Sequence, residues 1–99
     1  MQNFHSFDVT IDSKETARRI KQLRLQHHLS ISDVQEIFSF ESERGIRYWE
    51  SGKRIPTIDN LVVLATLYNV QIEDVLAFSV NGEAGRLPAY LIYLFFTKL

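Results

Sequence analysis

The sequence predicts a compact all-α domain of five short helices, with a strand-like arm before it and an apolar segment after it. Three observations carry that expectation. Apolar residues recur every three or four positions through much of residues 13–78, the period of helices with one buried face. Side chains able to cap a helix, Asp12, Ser30 and Thr57, stand just before three of those runs. The connections between runs are about two to five residues long, as suits neighbouring helices in a small domain.

The arm comes first. In FDVTID the apolar residues Phe7, Val9 and Ile11 alternate with polar ones, the pattern of a half-buried strand. So short a strand needs a partner elsewhere in the chain or in a second subunit. Asp12 with Glu15 gives a capping-box-like start to a helix over about 13–28. Ala17, Ile20, Leu23, Arg24 and His27 share one side of it, while Arg18, Lys21 and Gln22 point outward. Ser30 caps a second helix, ISDVQEIF, with Ile31, Val34 and Phe38 on one face and Asp33 in the first turn, where a carboxylate suits the helix dipole.

A third helix spans about 42–51 and stops at Gly52, with Pro56 just beyond. Thr57 caps a fourth, Ile58 to Tyr68, which Asn69 ends, and Ile72 to Phe78 makes a fifth. NGEAGR then reads as a linker, and Pro88 opens AYLIYLFFTKL, apolar almost all the way round. That run is about half of the roughly 20 residues a membrane span needs, so it is expected to pack on the domain or, by preference, against a second subunit. The expected division is an arm at 1–12, a helical domain at 13–79, and a linker with the apolar segment at 80–99.

The chain has 99 residues, 45% of them hydrophobic and none of them cysteine. One core is within reach without cross-links, and thiolate metal sites and nucleophiles are excluded. The amino terminus shows no basic start followed by an apolar signal core, so an intracellular, cytoplasmic protein is expected. The formal net charge is −1. Its distribution is uneven: residues 14–56 hold nine Lys and Arg against six acids, while both flanks are acidic. An excess of positive charge in one segment is the footprint of a nucleic-acid partner, here of moderate strength.

That segment closes with ESERGIRYWESGKRIP. At 100° per residue Ser42, Gly45, Ile46 and Trp49 fall on one side of the third helix, facing the core. Glu43, Arg44, Arg47, Tyr48 and Ser51 fall on the other, with Lys53 and Arg54 following in the loop. Apolar residues fixing one face, donors and acceptors on the other and cations beside them are what reading base edges beside phosphates requires. Gly45 lowers helix stability by ~1 kcal/mol relative to Ala, or else permits close helix packing. The bland alternative for the charged face is a solvated helix surface.

From LSISDVQEIF through Ile46 to Pro56, with its I-x-x-W-E-x-G-K-x-x-P spacing, to NVQIEDVL, the sequence resembles the helix-turn-helix domain of the Cro and phage-repressor type, called XRE-like. The resemblance covers about residues 17–78. It implies a five-helix DNA-binding module whose third helix enters the major groove. It places Glu43, Arg44 and Tyr48, with Arg47 beside them, where the family contacts bases. Ser51 and Lys53 match the loop that contacts the DNA backbone, and Ser42, Arg54, Ser30 and Ile31 are expected to join them there. Arg24 and Glu50 match a structural ion pair tying the first helix to the end of the third. The sequence departs from the family pattern at Ile31, where Gln is usual, at Gln35 for Ala and at Ser39 for Gly. Phe38 to Ile46 is also one residue longer, which lengthens the turn before the third helix.

The expectation is therefore a sequence-specific DNA-binding transcriptional regulator, a repressor acting as a homodimer on a double-stranded operator. No cofactor, metal, membrane or small-molecule effector is called for, and no nucleophile motif or phosphate-cradling glycine loop suggests an enzyme. Adjacent His27 and His28 point about 100° apart on a helix and cannot share a metal, so one packed and one exposed histidine is expected. The alternative is a protein-interaction module on the same fold, an antitoxin or adaptor with DNA binding weak or lost.

Overall fold

The computed structural model describes residues 8–84. In order these form β1 (Val9–Ile11), α1 (Ser13–Gln26), α2 (Ile31–Phe38), α3 (Arg44–Ser51), α4 (Ile58–Tyr68), α5 (Ile72–Val75), β2 (Phe78–Val80) and β3 (Glu83–Ala84). Five helices build the domain, and a small antiparallel sheet in the order β1-β2-β3 closes it. The first seven residues, Phe7 among them, and the expected terminal contact from Pro88 onward lie outside the described residues.

Helix α1 starts where the Asp12 carboxylate accepts from the Glu15 N–H at 2.9 Å, a cap of the kind that contributes about 1 kcal/mol. The reciprocal half of the expected capping box is not made. Asp12 N–H instead donates to the Ala77 carbonyl at 2.9 Å, and the Glu15 carboxylate takes Arg18 and Arg19. A complete box stands at α2: Ser30 N–H donates to Asp33 Oδ2 at 2.7 Å and Asp33 N–H to Ser30 Oγ at 2.9 Å. Those bonds to Ser30 hold the Asp33 carboxyl below its ordinary pKa. The core gathers Ile20, Val34, Ile46, Trp49, Leu61, Leu64, Tyr68 and Val75 from α1 through α5. Burying aliphatic side chains of this size contributes about 1.5–3 kcal/mol each.

The turn between α2 and α3 accommodates its extra residue by packing it. Ser39 ends α2 in the left-handed region, φ 56°, which glycine would enter at lower cost. Phe40 then turns inward, its ring 5.0 Å from that of Phe38 and 5.8 Å edge-on from Trp49. The Gln35 amide donates to the Phe40 carbonyl at 3.1 Å. The unusual Gln is thus the side chain that fastens the unusual turn. At the other end of α3, Gly52 has φ 80°, and a Cβ there would lie 3.4 Å from the Ser13 carbonyl oxygen. Glycine lets α3 end tightly against α1.

The last part of the domain differs from the expectation. Helix α5 stops at Val75 rather than Phe78, because Leu76 leaves it extended at φ −88°, ψ 114°. The buried Thr16 hydroxyl accepts the Ala77 N–H at 2.9 Å while the Ala77 carbonyl takes Asp12. Both bonds are long-range and direct the chain into β2. There Val80, Ser79 and Phe78 stand opposite Val9, Thr10 and Ile11, so the partner of the amino-terminal strand lies in the same chain. Asn81 and Gly82, at φ 53° and 81°, make the two-residue turn to β3. NGEAGR therefore opens as a hairpin. Val9 and Ile11 remain exposed rather than half-buried.

Candidate nucleic-acid interface

Helix α3 is fixed by what it buries. Ile46 and Trp49 are 1% and 6% exposed, and the Trp49 ring meets Phe38 and Phe40 edge-on. Gly45 is not needed for close packing, since a Cβ there would meet Phe40 at an ordinary 4.0 Å. The helix begins at Arg44, two residues later than the sequence suggested. Ser42 is exposed rather than turned to the core, and its hydroxyl accepts from the Arg44 N–H at 3.3 Å. Glu43 occupies the cap position without a capping bond.

With those anchors in place, Arg44, Arg47 and Ser51 project into solvent and Tyr48 is half-buried. Among the described residues, the Arg44 guanidinium has no hydrogen-bond or ion-pair partner. Arg47 Nη2 donates to Glu43 Oε1 at 2.6 Å. The loop after α3 folds back over its end: the Lys53 and Arg54 N–H groups donate to the Tyr48 carbonyl at 3.0 and 3.2 Å. Lys53 Nζ lies 4.5 Å and the Arg54 guanidinium 5.3 Å from the Tyr48 ring centre. Both distances are within cation–π reach. The Ser51 hydroxyl donates to the same carbonyl at 3.2 Å and accepts from the Lys53 N–H at 3.4 Å. One aromatic ring thus gathers two loop cations beside the two arginines of the helix.

Glu50, one turn away, is engaged elsewhere. Arg24 Nε donates to Glu50 Oε2 at 2.7 Å and Nη2 to Oε1 at 2.9 Å. Arg24 Nη1 donates to the Leu29 carbonyl at 3.0 Å. The hydrogen bonds to Glu50 raise the Arg24 pKa. Neighbouring Tyr68 is pushed up to about 12, chiefly by burial and then by the Glu50 charge.

At the start of α2, Ser30 is occupied by its capping box, and Ile31 packs against the core. Ile31 therefore offers its backbone rather than its side chain to a ligand at that helix end. A groove of about 430 Å³ runs beside α3, walled by Arg44, Tyr48, Arg54 and, from α4, Asn60. Sequence reading missed Asn60 because it belongs to another helix, whose period gives no link to α3. Both His27 and His28 are exposed, though the His27 ring lies 4.8 Å from that of Tyr68. Among the described residues no group of three or more His, Cys, Asp or Glu could hold a metal ion.

Two helices joined by a turn, the second with a buried apolar face and an outward polar one, define a helix-turn-helix protein. The chain matches the helix-turn-helix family model over residues 20–75, more than half its length, and belongs to that family, in its XRE-like form. Among solved structures, the chain is similar to one described as the BldD DNA-binding domain of S. venezulae. The two share 26% identity at a TM-score of 0.55, over 65% of this chain and 94% of that one. A comparison with curated proteins gives no match. No helix among the described residues is long and apolar enough to cross a membrane.

Proposed function

We propose that the protein is a sequence-specific, double-stranded DNA-binding transcriptional regulator, a cytoplasmic repressor that acts as a homodimer with α3 in the major groove. The observation that carries the reading is the outward face of α3 and its loop. Lys53 and Arg54 lie over the Tyr48 ring there, next to Arg44 and Arg47 of the helix, while the opposite face is locked into the core. Arg44, Arg47 and Tyr48, with Glu43, face base edges; Ser42, Ser51, Lys53, Arg54 and the start of α2 at Ser30 and Ile31 face phosphates. Family membership and the likeness to a DNA-binding domain support the same reading. In a two-fold dimer the half-sites would stand about one helical turn, ~34 Å, apart.

The test is a titration of the full chain with duplex DNA from its own upstream region at two salt concentrations. The expected result is tight binding whose affinity falls steeply with salt and collapses in Arg44→Ala. Absence of any duplex preference at low salt sinks the proposal. One observation favours the alternative, a protein-interaction module: Ile58 and Val62, one turn apart on α4, are 67% and 47% exposed. That reading gains if DNA binding fails.

A further inference from the structure

We propose that Glu43 determines specificity by buttressing Arg47, turning its guanidinium from the phosphates toward a base edge. The inference rests on the DNA-binding reading and extends it to a residue whose charge opposes DNA. Four observations lead to it. Glu43 holds the cap position of α3, yet its side chain makes no capping bond there, unlike Asp12 on α1 and Ser30 on α2. Its Oε1 instead accepts from Arg47 Nη2 at 2.6 Å across one helical turn. The pair is partly open to solvent, with the Arg47 side chain 63% and the Glu43 side chain 33% exposed, a setting in which an ion pair contributes little to stability. Every other charged side chain of this face is a cation.

Geometry then decides what Arg47 does. An arginine on the outside of a helix is free to swing to either groove wall and meet a phosphate. Held from position i−4, Arg47 leans back over the amino-terminal turn of α3, beside Arg44. That is the end of a recognition helix which contacts base edges. The carboxylate occupies one edge of the guanidinium fork and leaves other N–H donors for a base with two acceptors, O6 and N7 of guanine. At a non-specific site Arg47 gains only a phosphate contact, and reaching it requires breaking the bond to Glu43. Glu43 itself is repelled by the phosphates. The repulsion lowers affinity for every sequence alike, so the discrimination against the wrong DNA comes from the bond between Glu43 and Arg47.

The experiment uses the full chain and two fluorescent duplexes of equal length. One is the site recovered by selection from a random pool; the other is an alternating adenine–thymine duplex, whose major groove presents no O6 and N7 acceptor pair. Wild type, Glu43→Gln, Arg47→Gln and the double variant are titrated at two salt concentrations, with thermal melts confirming an unchanged fold. The expected result for Glu43→Gln is stronger non-specific binding with a salt slope steeper by about one, as freed Arg47 reaches a phosphate. The ratio of specific to non-specific affinity should fall by about fivefold, and that fall should vanish in the Arg47→Gln background. Equal changes on both duplexes, or an undiminished effect without Arg47, would overturn the proposal while leaving the DNA-binding reading intact. A wild-type protein that binds neither duplex overturns both.

Discussion

Arg24 and Glu50 face each other in a two-point ion pair, with Nε to Oε2 at 2.7 Å and Nη2 to Oε1 at 2.9 Å, and their side chains are only 10% and 8% exposed. The pair joins α1 to the end of α3, so the tilt of the candidate recognition helix depends on a bond remote from its outward face. Removing one partner strands a buried charge, so Glu50→Gln should cost ~3 kcal/mol in chemical denaturation. The double change Arg24→Met, Glu50→Leu should cost clearly less than the two single changes together. Additive losses would show that the two residues act independently.

At Gly45 there is room for a methyl group, 4.0 Å from the nearest side-chain carbon, and no left-handed backbone to forbid one. Gly45→Ala should therefore stabilise α3 by about 0.5–1 kcal/mol, read as a higher midpoint in urea. A lower midpoint would mean that the added carbon displaces Phe40 and with it the turn.

Tyr48 is predicted to act on DNA partly through Lys53 and Arg54, which lie over its ring at 4.5 and 5.3 Å. Tyr48→Phe keeps that ring, and Tyr48→Leu removes it. If the ring sets the loop, Leu should lower affinity for duplex by about tenfold and flatten its salt dependence, while Phe stays within about threefold of wild type. Equal losses in the two variants would assign the role to the hydroxyl instead.

Acid should weaken the start of α1. Hydrogen bonds from Arg18 and then Arg19 lower the Glu15 pKa to about 2, well below its ordinary 4.5. A carboxyl depressed in this way contributes stability that is fully present above its unfolded value and is lost as the pH falls toward 2. Between pH 5 and pH 2 the melting temperature of wild type should therefore fall further than that of Glu15→Gln. Parallel curves would show that the cluster contributes nothing.

Much of this was legible in the sequence where the cause is local. Asp12, Ser30 and Gly52 mark helix ends through bonds or backbone angles within a few residues, and Ile46 and Trp49 reveal the buried face of α3 by spacing alone. The misreading of Phe78 as helical has a different origin. Helix α5 ends because Thr16 and Asp12, some 60 residues earlier, take the backbone groups of Ala77, and no window along the chain contains both. Ser39 and Phe40 posed a similar difficulty. An extra residue announces a longer turn, but only the three-dimensional position of Trp49 shows where its ring goes. On the site, the spacing placed Glu43 and Arg47 on one face as separate readers, whereas they are bonded to each other.

The sheet also sets the order in which its bonds would part under tension. Asp8 N–H donates to Asn81 Oδ1 at 3.0 Å and Asn81 N–H to the Asp8 carbonyl at 2.8 Å. These bonds lie at the open end of an antiparallel pair whose other end is Asp12 and Ala77. Tension applied between residues 8 and 81 would load them one after another, as a zip is opened, with α1 strained only after the Asp12 bond has parted. A pull between those two residues should therefore open the strand pair before it disturbs the helices that carry α3.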